Sequence, residues 1–245
     1  LLAFRRKLCS KLAHRLGWEY PENEDYLTIM LRSLAIKVAG KSGDPEIVKE
    51  AKRRFELFTE KNDQSAIHPN IRGAVFEIVL IHGGGEKEFE EILKIFRNSP
   101  TADQQLVALT ALGYAQQPEL IQRALDFSIS PEVRNQDVIH AFAGLRDNRK
   151  SRKILWNFLK KNWDLFEDRY VKSLNLLGNV IKYGTSSFAS EEDAIDIEKF
   201  FADKDTKQYA RPLQQSLENI YMNSAWLKRD AKDVEEWLAD NGYLN

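Results

Sequence analysis

The chain has 245 residues, 43% of them hydrophobic and 30% charged, with a formal net charge of -1 at pH 7. That length can bury a sizeable core, and the neutral balance excludes a global field drawing the chain to nucleic acid or an acidic membrane. A single cysteine, Cys9, excludes a disulfide framework and a zinc site built of thiolates.

The opening segment LLAFRRKLCSKLAHRLGW spaces its apolar residues periodically and runs basic residues through them. This predicts a helix, not a signal peptide. Cys9 reads as a small buried hydrophobe on it. The start at Leu1 in mid-pattern reads as the cut edge of a longer protein. In YLTIMLRSLAIKVAG, Tyr26, Ile29, Met30, Leu34, Ile36 and Val38 recur at helical spacing, and Gly40 and Gly43 stop the run. Asp44 and Pro45 restart a helix as N-cap and first helical residue. There Ile47, Ala51, Phe55 and Phe58 form one stripe. TEKNDQSAIHPN, residues 59–70, reads as a surface connection. Pro69 and Asn70 open IRGAVFEIVLIHGGG. Its run VFEIVLI lacks the alternation of a strand and reads as helix, closed by Gly83, Gly84 and Gly85. His82 fits a cation at that helix C-terminus.

A repeat follows. GEKEFEEILKIF precedes TADQQLVALTALGYAQ, QPELIQRALDF precedes EVRNQDVIHAFAGLRDN, and SRKILWNFLKKNWDLF precedes RYVKSLNLLGNVIKYG. Each reads as a helix pair whose second helix ends in a glycine: Gly113, Gly144 and Gly178, spaced 31 and 34 residues apart. Such periods predict an all-α fold, a superhelical arch of antiparallel helix pairs of the HEAT or armadillo kind, with residues 1–245 as a single helical-repeat domain. Trp156 and Trp163 lie seven residues apart, share a helix face with Ile154 and Phe158, and read as core. Ser190 with Asp193 reads as a capping box start. Trp226 and Trp237, eleven apart, read as the hydrophobic cap that closes the stack.

Catalytic constellations are missing. His14, His68, His82 and His140 are isolated, and no H-E-x-x-H or G-x-S-x-G occurs. The triple glycine lacks a Gly-Lys-Ser/Thr sequel and reads as a helix stop. The acidic pairs Glu90-Glu91, Glu191-Glu192 and Glu235-Glu236 occupy adjacent helix positions, so they point to different faces and form no acid–base dyad. RDNRKSRK, from Arg146 to Lys153, holds five cations in eight residues. It lies at a turn between helix pairs, where Arg146 could project into a hollow and take both oxygens of a carboxylate. No aromatic platform accompanies it, so a nucleic-acid interface is not expected. No run of some eighteen apolar residues exists to span a membrane. The lone cysteine and the absence of any Asn-x-Ser/Thr acceptor fit a cytoplasmic protein.

Particular residues carry a family resemblance. Trp156, Phe158, Asn162 and Trp163 (W-x-F-x-x-x-N-W) resemble a segment of the C-terminal helical domain of zinc aminopeptidases of the puromycin-sensitive and endoplasmic-reticulum group. The ordered pieces FRRKL…LGWE, YLTIMLRSLAIKVAGKSGD, HPNIRGAVFEIVLIHGG, NQDV at Asn135–Val138, and Trp226-Leu227 with Val234, Trp237 and Leu238 resemble further segments of that domain. The GLR turn and the closing WLADNGY look most like the fungal cytosolic branch. The resemblance implies an N-terminally truncated part of a lid domain that closes over an upstream catalytic domain and bounds a peptide chamber. It implies zinc in that missing domain, none in this chain, and no hydrolysis by this chain alone. The partners implied are the upstream domain and a peptide substrate. It places Arg146 as a contact for a peptide's C-terminal carboxylate. Gln136 and Asp137 begin a helix as polar lining, with helix capping as their other reading. A second reading stays open, an independent HEAT-like scaffold that binds a protein partner.

Overall fold

The computed structural model describes residues 1–173 and 175–244. Among them it is all-helical, with no strand. The helices are α1 (Leu2–Leu16), α2 (Tyr26–Lys41), α3 (Pro45–Glu60), α4 (Arg72–Ile81), α5 (Glu86–Asn98), α6 (Ala102–Leu112), α7 (Pro118–Ser128), α8 (Val138–Asp147), α9 (Arg152–Lys161), α10 (Trp163–Tyr170), α11 (Leu176–Thr185), α12 (Glu191–Phe201) and α13 (Ala210–Asp240). They group into two compact units, Leu1–Gln116 with the residues from Glu236 on, and Gln117–Glu235.

Many helix starts follow from local chemistry. Asp25 accepts the Thr28 N–H at 3.0 Å. Asp44 accepts from Glu46 and Ile47 at 3.1 and 3.0 Å, ahead of Pro45. Ser190 accepts from Asp193 at 3.1 Å. Each of the three consecutive glycines has its own role. Gly83 has φ 100°. Gly84 lies so close to the α4 backbone that a Cβ would meet the Val79 carbonyl oxygen at 2.7 Å. Gly85 gives its N–H to Glu88 at 2.7 Å. They stop one helix and start the next.

In the first unit α1 packs on α2, α3 on α4 and α5 on α6, while α4 touches both α2 and α6. That central position explains VFEIVLI. Ala74 to Leu80 are all buried, so beyond its first turn the helix is apolar all round apart from Glu77. In the second unit α8 packs beside α7, α9 and α11.

Several expectations need correction. Gly113 does cap α6, but Gly144 and Gly178 lie inside α8 and α11, so the glycine period does not mark helix ends. Both approach a neighbour or sit in the core: Gly144 is buried, and a Cβ on Gly178 would meet Pro212 at 2.8 Å. The SRKILWNFLKKNWDLF stretch is two helices, not one. Asn162 breaks it by giving its side-chain amide to the Phe158 carbonyl at 2.8 Å. Cys9 is half-buried, not buried. Ala66 and Ile67, inside the stretch expected as a surface connection, are core. Trp237 stacks on Tyr243 and meets Phe4 edge-on, yet it stays 49% exposed and Trp226 43% exposed, so the pair does not form a buried cap.

Candidate functional site

The turn from α8 to α9 gathers the predicted cations. Arg146 lies in the last turn of α8, with its guanidinium 4.9 Å from the Tyr183 ring centre on α11 and 3.1 Å from the Asp147 carboxylate. The ring and the carboxylate hold the planar fork in one orientation. Arg152 turns onto the main chain. Its Nε donates to the Arg146 carbonyl at 2.9 Å and an Nη donates to the Ser187 carbonyl at 3.3 Å. Burial, and then the Arg149 charge, draw its pKa below the ordinary arginine value. It clamps the turn that carries Arg146. Ser151, fully buried, reinforces that turn, with its hydroxyl 3.0 Å from the Asn148 carbonyl. Lys153 is paired with Asp193 and lies over the Phe188 ring. The basic run is therefore a braced turn and not a bare patch of positive charge.

Gln136 and Asp137 form a short 3-10 turn at the opposite end of α8. That helix has ten residues, which places them about 15 Å from Arg146 along its axis. The structure does not bring the three together. Gln136 is exposed. Asp137 is buried and accepts from Arg134 Nε at 2.6 Å, and it makes no side-chain cap to α8.

Two features of the first unit escaped sequence reasoning. Glu77, buried on α4, accepts from Lys37 at 2.7 Å and from Lys41 at 3.2 Å, and Lys41 also reaches the Tyr114 hydroxyl at 2.9 Å. A lone charge inside VFEIVLI was the available signal, because a buried carboxylate needs partners. The second is a cavity of about 530 Å³ between the C-terminal ends of α3 and α5 and the first turns of α4 and α6, with Arg72 on its wall.

No group of three His, Cys, Asp or Glu side chains suited to a metal exists among the described residues. His14 shows the reason locally. It meets Asp44 through Nε2 at 3.1 Å and Glu46 through Nδ1 at 3.5 Å. Opposite ring nitrogens cannot converge on one ion. His82 is not the expected cation either. It lies 2.7 Å from the Gly40 carbonyl, a distance that calls for a proton on Nε2, and burial holds its pKa below the usual imidazole range.

Residues 1–222 match the family model described as the ERAP1-like C-terminal domain. The chain belongs to this family. Over 98% of its length it is 35% identical to Aminopeptidase 2 of Candida albicans and 35% identical to "Aminopeptidase 2, mitochondrial" of Saccharomyces cerevisiae. Aminopeptidase M1-B of Oryza sativa subsp. japonica is 31% identical over 88% of the chain. The matches cover only 26%, 25% and 25% of those relatives, so this member of the ERAP1-like C-terminal family spans about a quarter of their length. No helix among its described residues is long and apolar enough to cross a membrane.

Proposed function

We propose that this chain is the lid and substrate-chamber domain of a cytoplasmic zinc aminopeptidase that removes N-terminal residues from peptides. The observation that carries the reading is its alignment, over 98% of its own length, with a quarter of fungal proteins named aminopeptidases. Zinc belongs to the upstream catalytic domain, where it would supply Lewis-acid and water-activating chemistry. This chain's residues bind and exclude: they close the chamber and do not cut. Arg146 takes the C-terminal carboxylate of a peptide, exchanging Asp147 for it, with the Tyr183 ring keeping the guanidinium in place. Gln136 lines the chamber away from that contact, on a turn that buried Asp137 holds through Arg134.

The test begins with the native protein, captured from its source with an antibody to this chain. Intact mass and zinc content are then measured together. A polypeptide several times larger with one zinc per chain is expected, together with peptide trimming that the 245-residue chain alone does not perform. A zinc-free protein near 28.3 kDa would overturn the reading. In the complete enzyme, Arg146→Ala is expected to raise KM about tenfold for peptides long enough to reach it and to leave kcat on single aminoacyl substrates unchanged. An unchanged length preference would remove Arg146 from the site.

A further inference from the structure

The cavity of about 530 Å³ in the first unit has a wall set unlike an ordinary surface dimple. Phe58, Phe76, Ile95 and Val107 supply apolar surface to it. Arg72, half-buried at the start of α4, reaches it with its guanidinium 5.0 Å from the Phe58 ring centre. The one protein hydrogen bond of that guanidinium among the described residues is a long one, Nε to the Ile67 carbonyl at 3.4 Å, and it has no carboxylate partner there. Burial draws its pKa below the usual arginine value, as expected of a cation left without a counter-charge. Asp103, exposed in the first turn of α6, also lines the cavity and has no cation partner among the described residues, while Glu91 faces Lys94 at a loose 3.7 Å. An unpaired guanidinium and an unpaired carboxylate thus line one space of mixed apolar and polar wall, where Asn62, Asn98 and Gln104 stand among the apolar side chains, without bonding to each other.

We propose that this cavity binds a zwitterionic ligand of dipeptide size with apolar side chains, its carboxylate on Arg72 and its ammonium toward Asp103. The fork geometry of arginine suits a carboxylate, and its stacking on Phe58 orients the two donors before the ligand arrives. A dianion such as phosphate is disfavoured, because it would meet the Asp103 and Glu91 carboxylates with one unpaired cation to offset them. The volume falls within the range of small-ligand pockets. It suits two residues better than one, and their apolar side chains would cover Phe58, Phe76, Ile95 and Val107. The site lies wholly in the first unit, so the proposal stands apart from the lid reading.

The experiment titrates the 245-residue chain with leucyl-leucine, its C-terminal amide and its N-acetyl form, by calorimetry. Saturable one-to-one binding of the free dipeptide is expected, weakened about tenfold or more by either block. Arg72→Met, which keeps an unbranched stem over Phe58, is expected to weaken the dipeptide similarly. Asp103→Asn is expected to weaken the free dipeptide and to leave the N-acetyl form unchanged. No saturable binding, or affinity indifferent to either block, overturns the proposal. So does undiminished binding in Arg72→Met. Should that variant fail to fold, the ranking of the three ligand forms on the unmodified chain decides between these outcomes.

Discussion

Trp156 and Trp163 show how much one hydrogen bond decides at a buried residue. Both rings are core, 2% and 4% exposed, and both meet Phe200 and Phe201 of α12. Their indole N–H groups differ. That of Trp156 donates to Asp196 at 2.6 Å, where Lys160 also binds at 2.8 Å. That of Trp163 is buried with no protein partner among the described residues. Tryptophan to phenylalanine removes similar apolar volume at each site, but only at position 156 does it strip a donor from a charged acceptor. Trp156→Phe is expected to cost about 1–2 kcal/mol more than Trp163→Phe, the exposure of Asp196 holding the difference to that size. Urea unfolding of the two variants checks this, and equal losses would show that the Asp196 bond contributes nothing. The core assignment of both rings was legible from their spacing on an amphipathic stretch. The donor's partner was not, because Asp196 lies 40 residues away in sequence.

At the scale of elements, the junction from α4 to α5 depends on close backbone approach. A Cβ on Gly84 would lie 2.7 Å from the Val79 carbonyl oxygen and 2.8 Å from the Leu80 Cα. These are backbone atoms of a buried helix and cannot swing aside. Gly84→Ala normally gains by restricting the unfolded chain. Here the contact reverses the sign, and a loss of about 1–3 kcal/mol is expected. Thermal and urea denaturation would register it, and a stabilised variant would mean that the turn yields. The stop at the triple glycine was readable from composition. The distinct tasks of Gly83 and Gly84 were not, since that φ and that contact emerge only once the turn is placed, whereas the Glu88 bond at Gly85 spans three residues and is local. The repeat was read less well for the same reason. Glycine inside α8 and α11 serves packing, and a sequence period cannot separate a packing glycine from a terminating one.

For the whole molecule, pH dependence follows from its half-buried histidines. His68 stacks on Tyr20 at 3.8 Å and accepts the Asn70 N–H through Nδ1, which requires a neutral ring. His82 serves the Gly40 carbonyl. Burial is the largest cause holding both pKa values down, and nearby cations add to it. A folded-state pKa below the unfolded value means the unfolded chain binds more protons as pH falls. The stability these rings contribute is therefore full above about pH 6.5 and is lost as pH drops through their depressed pKa values. Unfolding free energy is expected to decline as pH falls below about 6.5, and the paired substitutions His68→Gln and His82→Gln are expected to flatten that decline. An identical slope in the double variant would assign the effect to other groups.

Local rules, acting within a few residues, determined the all-helical class, the caps at Asp44 and Ser190, the core role of the tryptophans and the ordered motifs that carry the family. Helical periodicity and N-caps depend on residues three or four apart, so they are written in consecutive letters. Tertiary packing alone decided that Lys37 and Lys41 neutralise Glu77, that Arg152 braces the turn of Arg146, and that Arg72 and Asp103 share a cavity without pairing. Each of these brings together groups from separate elements, which consecutive letters do not record, and burial that removes water as a competing partner gives the bonded ones their weight.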